Sequence, residues 1–269
     1  MGIARHRLAQ VTALIAVAAL AALVLAGRGD SRSGAASASQ STSAEELSAQ
    51  LSANDLALRA AIDAWRDGGD PPTTPPPPDV MASARYLQGA VRSLARHRTL
   101  AKNTIALLTS GLGHEVSELT AAARDLNRLS AGWPPHHVQT GKPRSLAELT
   151  KYYDAAFRRH EIGQHYLAAI HFVESKFGRV KSNSVAGAQG PMQFLPSTWD
   201  IYGHGDIHDD HDAILAAANL LRHNGAPGDY RRALHAYNPS GLYVDAVQRY
   251  ARLIKGDRYA VYFLYCWRP

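Results

Sequence analysis

Large aromatic rings are confined almost entirely to one half of this chain, which limits what it can fold into. Of the 21 Phe, Trp and Tyr residues, 18 lie between Tyr152 and Trp267, and the first 150 positions hold only Trp65, Tyr86 and Trp133. A core built on rings therefore belongs to the second half, and the first half has to pack on Ala and Leu. That asymmetry excludes a single uniform fold. With 269 residues, 46% of them hydrophobic, the chain is long enough to bury a core of one or two domains.

Charge narrows the function classes. Residues 1–142 carry 14 Lys/Arg against 11 Asp/Glu, and residues 143–269 carry 15 against 12. The net charge of +6 is thus diffuse. Nucleic-acid binders concentrate their positive charge in an arm or face, so no nucleic-acid partner is expected. Mild general basicity fits an anionic surface such as a bacterial wall or membrane. Cys266 is the only cysteine, which rules out an intrachain disulfide and a Cys-based metal site.

The first 27 residues read as a signal peptide or membrane anchor. Arg5 and Arg7 precede an uncharged run from Leu8 to Gly27, long for a signal core and adequate to span a bilayer. Its length favours an uncleaved anchor. Either reading makes the protein extracytoplasmic, on the wall or periplasmic side. Residues 28–43 are small and polar, a flexible linker. Ser43 with Glu46 predicts a capped helix over 44–66, and the six prolines within 67–80 predict a rigid spacer. Residues 81–142 form a helical arm, with Gly111-Leu112-Gly113 as the expected break and Trp133-Pro134-Pro135 near its end. His97, His114, His136 and His137 lack metal-ligand spacing.

Residues 143–269 read as a second, mainly α domain with a short irregular or β segment. Ser145 and Glu148 predict a capping box, and a helix is expected from Gln164 to Phe177, stopped by Gly178. Val180 to Phe194 has no helical period. Pro196 opens a short helix, Asp210 or Asp212 caps the next, Asp229 caps another, and Leu242–Lys255 forms the last long one.

Glu174 is the candidate catalytic residue. It lies near the end of a helix that is otherwise apolar on its inner side, among Ile170, Phe172, Val173 and Phe177. Burial and the negative end of the helix dipole both favour its protonated form, as a general acid requires. Taken alone, an ordinary helix-end Glu on the solvated side is an equal reading. The segment Ser184–Trp199 follows, with Gly187, Gly190 and amide side chains suited to sugar hydroxyls and acetamides.

These elements resemble the lytic transglycosylases of the lysozyme superfamily. The resemblance rests on Glu174-Ser175-Lys176-Phe177-Gly178, then GAQGPMQFLPSTW from Gly187 to Trp199, DAILAAANLL from Asp212 to Leu221, and AYNPSGLYVDAV from Ala236 to Val247. It covers about residues 145–254 and looks closest to the membrane-bound B type and its relatives in high-GC Gram-positive bacteria. It implies a lysozyme-like α domain and cleavage of the β-1,4 bond between MurNAc and GlcNAc, with 1,6-anhydro-MurNAc formed. It implies Glu174 as the single acid/base, and Ser184, Met192, Gln193, Tyr237 and Asn238 as substrate-binding residues. No cofactor or metal is required, the partners are peptidoglycan glycan strands, and a monomer is expected. Two departures stand out. Gly203–Asp210 is shorter than the calcium loop of the B type, so helix capping by these aspartates outranks metal binding. Asn219 is followed by Leu220 where the family often has an aromatic.

Two rivals remain at this level. A hydrolytic muramidase of the goose-lysozyme kind needs a second carboxylate, for which Asp200, Asp206, Asp209 and Asp210 are the nearby candidates. A non-catalytic wall-binding scaffold would use the anchor and arm as its working parts.

Overall fold

Side-chain caps start four of the eleven helices in the computed structural model, which describes residues 42–133 and 138–269. The leader over 1–27, most of the linker over 28–43, and His136 and His137 lie outside those residues. The described residues are mainly helical, as expected, and none of their helices is long and apolar enough to cross a membrane.

The arm contains α1 (Ala44–Arg66), α2 (Pro78–Arg96), α3 (Arg98–Leu107) and α4 (Ser110–Leu129). The Ser43 hydroxyl accepts from Glu46 N at 3.1 Å and starts α1. Proline at the first turn starts α2, so the Pro-rich spacer ends one turn earlier than expected. The arm breaks at His97 and at Leu108–Thr109, not at Gly111-Leu112-Gly113. Gly113 N already donates to Thr109 O at 2.7 Å, so both glycines sit inside the first turn of α4. A Cβ on Gly113 would stand 3.3 Å from Ile105 O; its small size serves the close approach of α3 to α4.

The second half holds α5 (Leu146–His160), α6 (Gln164–Ser175), α7 (Pro196–Tyr202), α8 (Asp210–His223), α9 (Tyr230–Tyr237), α10 (Gly241–Gly256) and α11 (Ala260–Tyr265). The Ser145–Glu148 capping box forms in both directions. Asp229 caps α9 as expected, but α8 is capped by Asp209, whose side chain accepts from His211 N and Asp212 N. Asp210 and Asp212 instead lie in the first turn. Single bridges Thr140–Val180 and Gln189–Phe194 are the isolated β pairs.

α4 lies along α10, α10 along α6, and α5 against α8, while α1 packs on α2 and α3. One continuous buried cluster runs from Leu47 in α1 to Trp267. The two halves therefore share a core. The ring-rich tail joins them: Trp65 of α1 meets the Tyr262 ring edge-on at 6.0 Å, and Phe172 of α6 meets Tyr250 at 4.8 Å and Trp267 at 5.8 Å. Polar ties cross the same boundary. Arg59 of α1 bridges Asp55, Glu115 of α4 and Asp257 beyond α10, and Glu118 pairs with Arg249 and Arg252 of α10.

Candidate active site

Three successive left-handed residues end α6. Lys176, Phe177 and Gly178 have φ of 53°, 60° and 75°. The first two pay a steric cost that Gly does not, and surrounding contacts hold them there. The Phe177 ring is fully buried, between Phe172 and Tyr265. Ser175, also fully buried, donates to Pro191 O at 2.5 Å and accepts from Gly178 N at 2.7 Å. The helix end that carries Glu174 is thereby tied to the glycine-rich loop. Helix α6 thus stops at Ser175, two residues before the expected Phe177.

Glu174 is 3% exposed. Its Oε1 accepts from the Tyr243 hydroxyl at 2.7 Å. Burial raises its pKa to about 7; the Tyr243 hydrogen bond and the Lys176 charge pull the other way and lose. A carboxyl in that state can give up a proton near neutrality and take one back. Lys176 Nζ donates to Phe172 O at 3.1 Å and stands 4.2 Å from the Phe172 ring centroid. Burial lowers its pKa to about 7.

A cavity opens at this carboxyl. Glu174, Lys176, Asn238 and Tyr243 line it from the second half, and Arg92, Arg96 and Asn127 line it from the arm. Asn238 is 2% exposed and its Oδ1 has no hydrogen-bond partner. A buried acceptor left open at a cavity wall is poised for a ligand donor. Glu174 is the sole Asp or Glu among the residues lining this cavity.

The other expected binding residues are not among those lining it. Tyr237 donates to Met192 O at 2.6 Å, and its ring lies parallel to that of Tyr243, 6.2 Å away. Met192 is fully buried and packs in the core. Gln193, at φ 50°, donates from Nε2 to Gly190 O and leaves a buried Oε1 unpartnered. Ser184 Oγ accepts from Ala188 N and closes the turn before the glycine-rich loop. Glu174 and Asn238 thus line the cavity together, whereas Ser184, Met192 and Gln193 build the glycine-rich loop and Tyr237, at the end of α9, holds it through Met192 O. The tyrosine that touches the acid is Tyr243, which the motif reading passed over. Its signal was present: with Val247 and Tyr250 it follows the apolar period of α10, the only one of the three to bring a hydroxyl to Glu174. No comparable sequence signal marked Arg92 and Arg96.

The aspartates before α8 are occupied with turn geometry. Asp212 Oδ2 accepts from Asp206 N and Asp206 Oδ1 from His208 N. Asp209, His211 and Asp212 are near enough to hold a cation, away from the Glu174 cavity lining. Asn219, whose successor Leu220 is buried, donates to Tyr202 O at 3.0 Å.

Residues 151–256 match the transglycosylase SLT domain. The match runs from α5 to the end of α10 and contains Glu174, Asn238 and Tyr243. It supports a lysozyme-like superfamily member with a peptidoglycan-acting activity of the lytic transglycosylase type. Helices α1–α4 and α11 lie outside the SLT segment, although they share its core and α2 and α4 line its cavity. No curated protein and no solved structure matches the chain.

Proposed function

We propose that the protein is a peptidoglycan lytic transglycosylase that cleaves the MurNAc–GlcNAc bond and leaves a 1,6-anhydro-MurNAc end. The observation that carries this reading is a lone, buried carboxyl with a pKa of about 7 in a cavity lined by no other Asp or Glu side chain. Protonated Glu174 donates to the glycosidic oxygen as the C1–O4 bond breaks. The resulting carboxylate takes the proton of the muramoyl 6-hydroxyl, whose oxygen bonds to C1 and closes the ring. The nucleophile belongs to the substrate, so effective molarity replaces an activated water. The Tyr243 hydroxyl stabilises the transient carboxylate, and Asn238 Oδ1 accepts from a sugar hydroxyl or acetamide N–H. The B-type resemblance, action on the extracytoplasmic wall as a monomer, and anchoring through residues 1–27 belong to the same proposal.

A hydrolytic muramidase is disfavoured by the same geometry. Asp200, Asp206, Asp209 and Asp210 all lie outside the residues lining the cavity. Mass spectrometry of products from purified peptidoglycan decides between them: anhydro ends weigh one water less than reducing ends. Glu174→Gln is expected to lower release at least about 100-fold, the usual contribution of a general acid. Release at the wild-type rate by that variant, or reducing ends from the wild type, would refute the proposal. Binding to sacculi without release would revive the scaffold reading.

A further inference from the structure

Part of the cavity wall at Glu174 comes from outside the SLT segment. Gln88, Arg92 and Arg96 stand four residues apart on α2, one above another on a single helix face, and all three line the cavity. Among the described residues, Arg92, Arg96 and Lys176 have no carboxylate within salt-bridge distance. Arg92 donates one hydrogen bond, from Nη2 to Arg268 O at 3.2 Å. Its remaining N–H donors are left for another acceptor. Burial and the neighbouring Arg96 charge both disfavour its cation. The molecule thus keeps unpaired guanidinium charge beside a carboxyl that is only partly ionised near neutrality. Such an arrangement is complementary to a ligand that brings its own anion.

We propose that Arg92 and Arg96 bind a free carboxylate on the peptide stem of the muramoyl residue, so that the arm selects stem-bearing strands. The proposal rests on the peptidoglycan reading above. The lactyl group of a stem-bearing residue is already an amide, which leaves the stem's own carboxylates as the anions available. A guanidinium pair matches their planar geometry through bidentate hydrogen bonds.

The test uses the full chain carrying Glu174→Gln, which blocks turnover, and calorimetric titration with a muramoyl tetrasaccharide bearing tetrapeptide stems. The ligand is compared with the same compound after amidation of its stem carboxylates. Amidation is expected to weaken binding about tenfold in the E174Q chain and less than about twofold once Arg92→Gln and Arg96→Gln are added. The chain with E174Q and only Arg96→Gln, at the exposed end of α2, is expected to show an intermediate loss and carries the test if the triple variant does not fold. Equal affinity of the E174Q chain for free and amidated ligands would overturn the subsite and leave the proposed activity standing. An amidation penalty that persists undiminished without both arginines would also overturn it. Failure to bind either ligand would overturn both proposals.

Discussion

Glu174 is held in opposition by two effects of different size. Desolvation favours its proton, and the Tyr243 hydroxyl favours its anion; desolvation wins and leaves the pKa at about 7. General-acid activity requires the protonated form, so kcat/KM is expected to fall as pH rises through about 7. Tyr243→Phe removes the bond that stabilises the carboxylate. The alkaline limb of the pH–rate profile is therefore expected to move to higher pH, with kcat lowered. An unmoved limb would show that Tyr243 does not tune the acid. Stability follows the same linkage. The ordinary carboxyl value is 4.5, so between about 4.5 and 7 the unfolded chain loses this proton while the folded chain keeps it. Folding stability from this group is present below that window and declines across it as pH rises. Glu174→Gln is thus expected to be more stable than wild type at pH 8, by an amount of order 3 kcal/mol, with the gap closing at pH 4. Urea unfolding at the two pH values measures it.

At the scale of the element, the site is a helix end knotted to a loop. Ser175 and Gly178 tie α6 to Pro191, and Gly190 lets the loop approach the chain before α8. A Cβ on Gly190, at φ 73°, would lie 1.9 Å from Ile207 O. Gly190→Ala is expected to cost about 2–4 kcal/mol and to displace the Pro191–Gln193 turn, lowering activity in parallel. Thermal unfolding alongside product release checks this, and an unchanged melting temperature would contradict it. Much of this element was legible along the chain. A Glu in an apolar helix end followed by small residues and amides marks both acid and loop. The left-handed Lys176 and Phe177 were not legible, because only the burial of Phe177 among Phe172 and Tyr265 forces a bulky residue into that backbone region.

Across the whole molecule, the arm and the SLT segment behave as one packed body. Arg59 sits where they meet, its side chain 28% exposed, between Asp55, Glu115 and Asp257. Removing it leaves the Asp257 carboxylate without its cation, beside buried Glu115, whose pKa desolvation raises to about 8. Arg59→Ala is expected to destabilise the chain by about 2 kcal/mol, less than breaking a fully buried pair because Arg59 is partly hydrated. Adding Asp257→Asn is expected to recover part of that loss, since the orphaned charge goes with it. Denaturant titration of the single and double variants provides the comparison.

The ring asymmetry separates what the sequence alone determined from what tertiary structure decided. Local chemistry in the chain specified most helices, the caps at Ser43, Ser145 and Asp229, the candidate acid and the glycine-rich loop, because capping, periodicity and turn formation act within a few residues. The uneven rings did not tell how the two halves meet. Trp65 lies 197 positions from Tyr262, and their contact helps to make the two halves one core. The same long-range packing turned Tyr243 onto Glu174 and brought α2 to the cavity wall. Such pairings depend on which faces of distant helices bury each other, a choice made by the summed packing of the whole chain and carried by no single stretch of it.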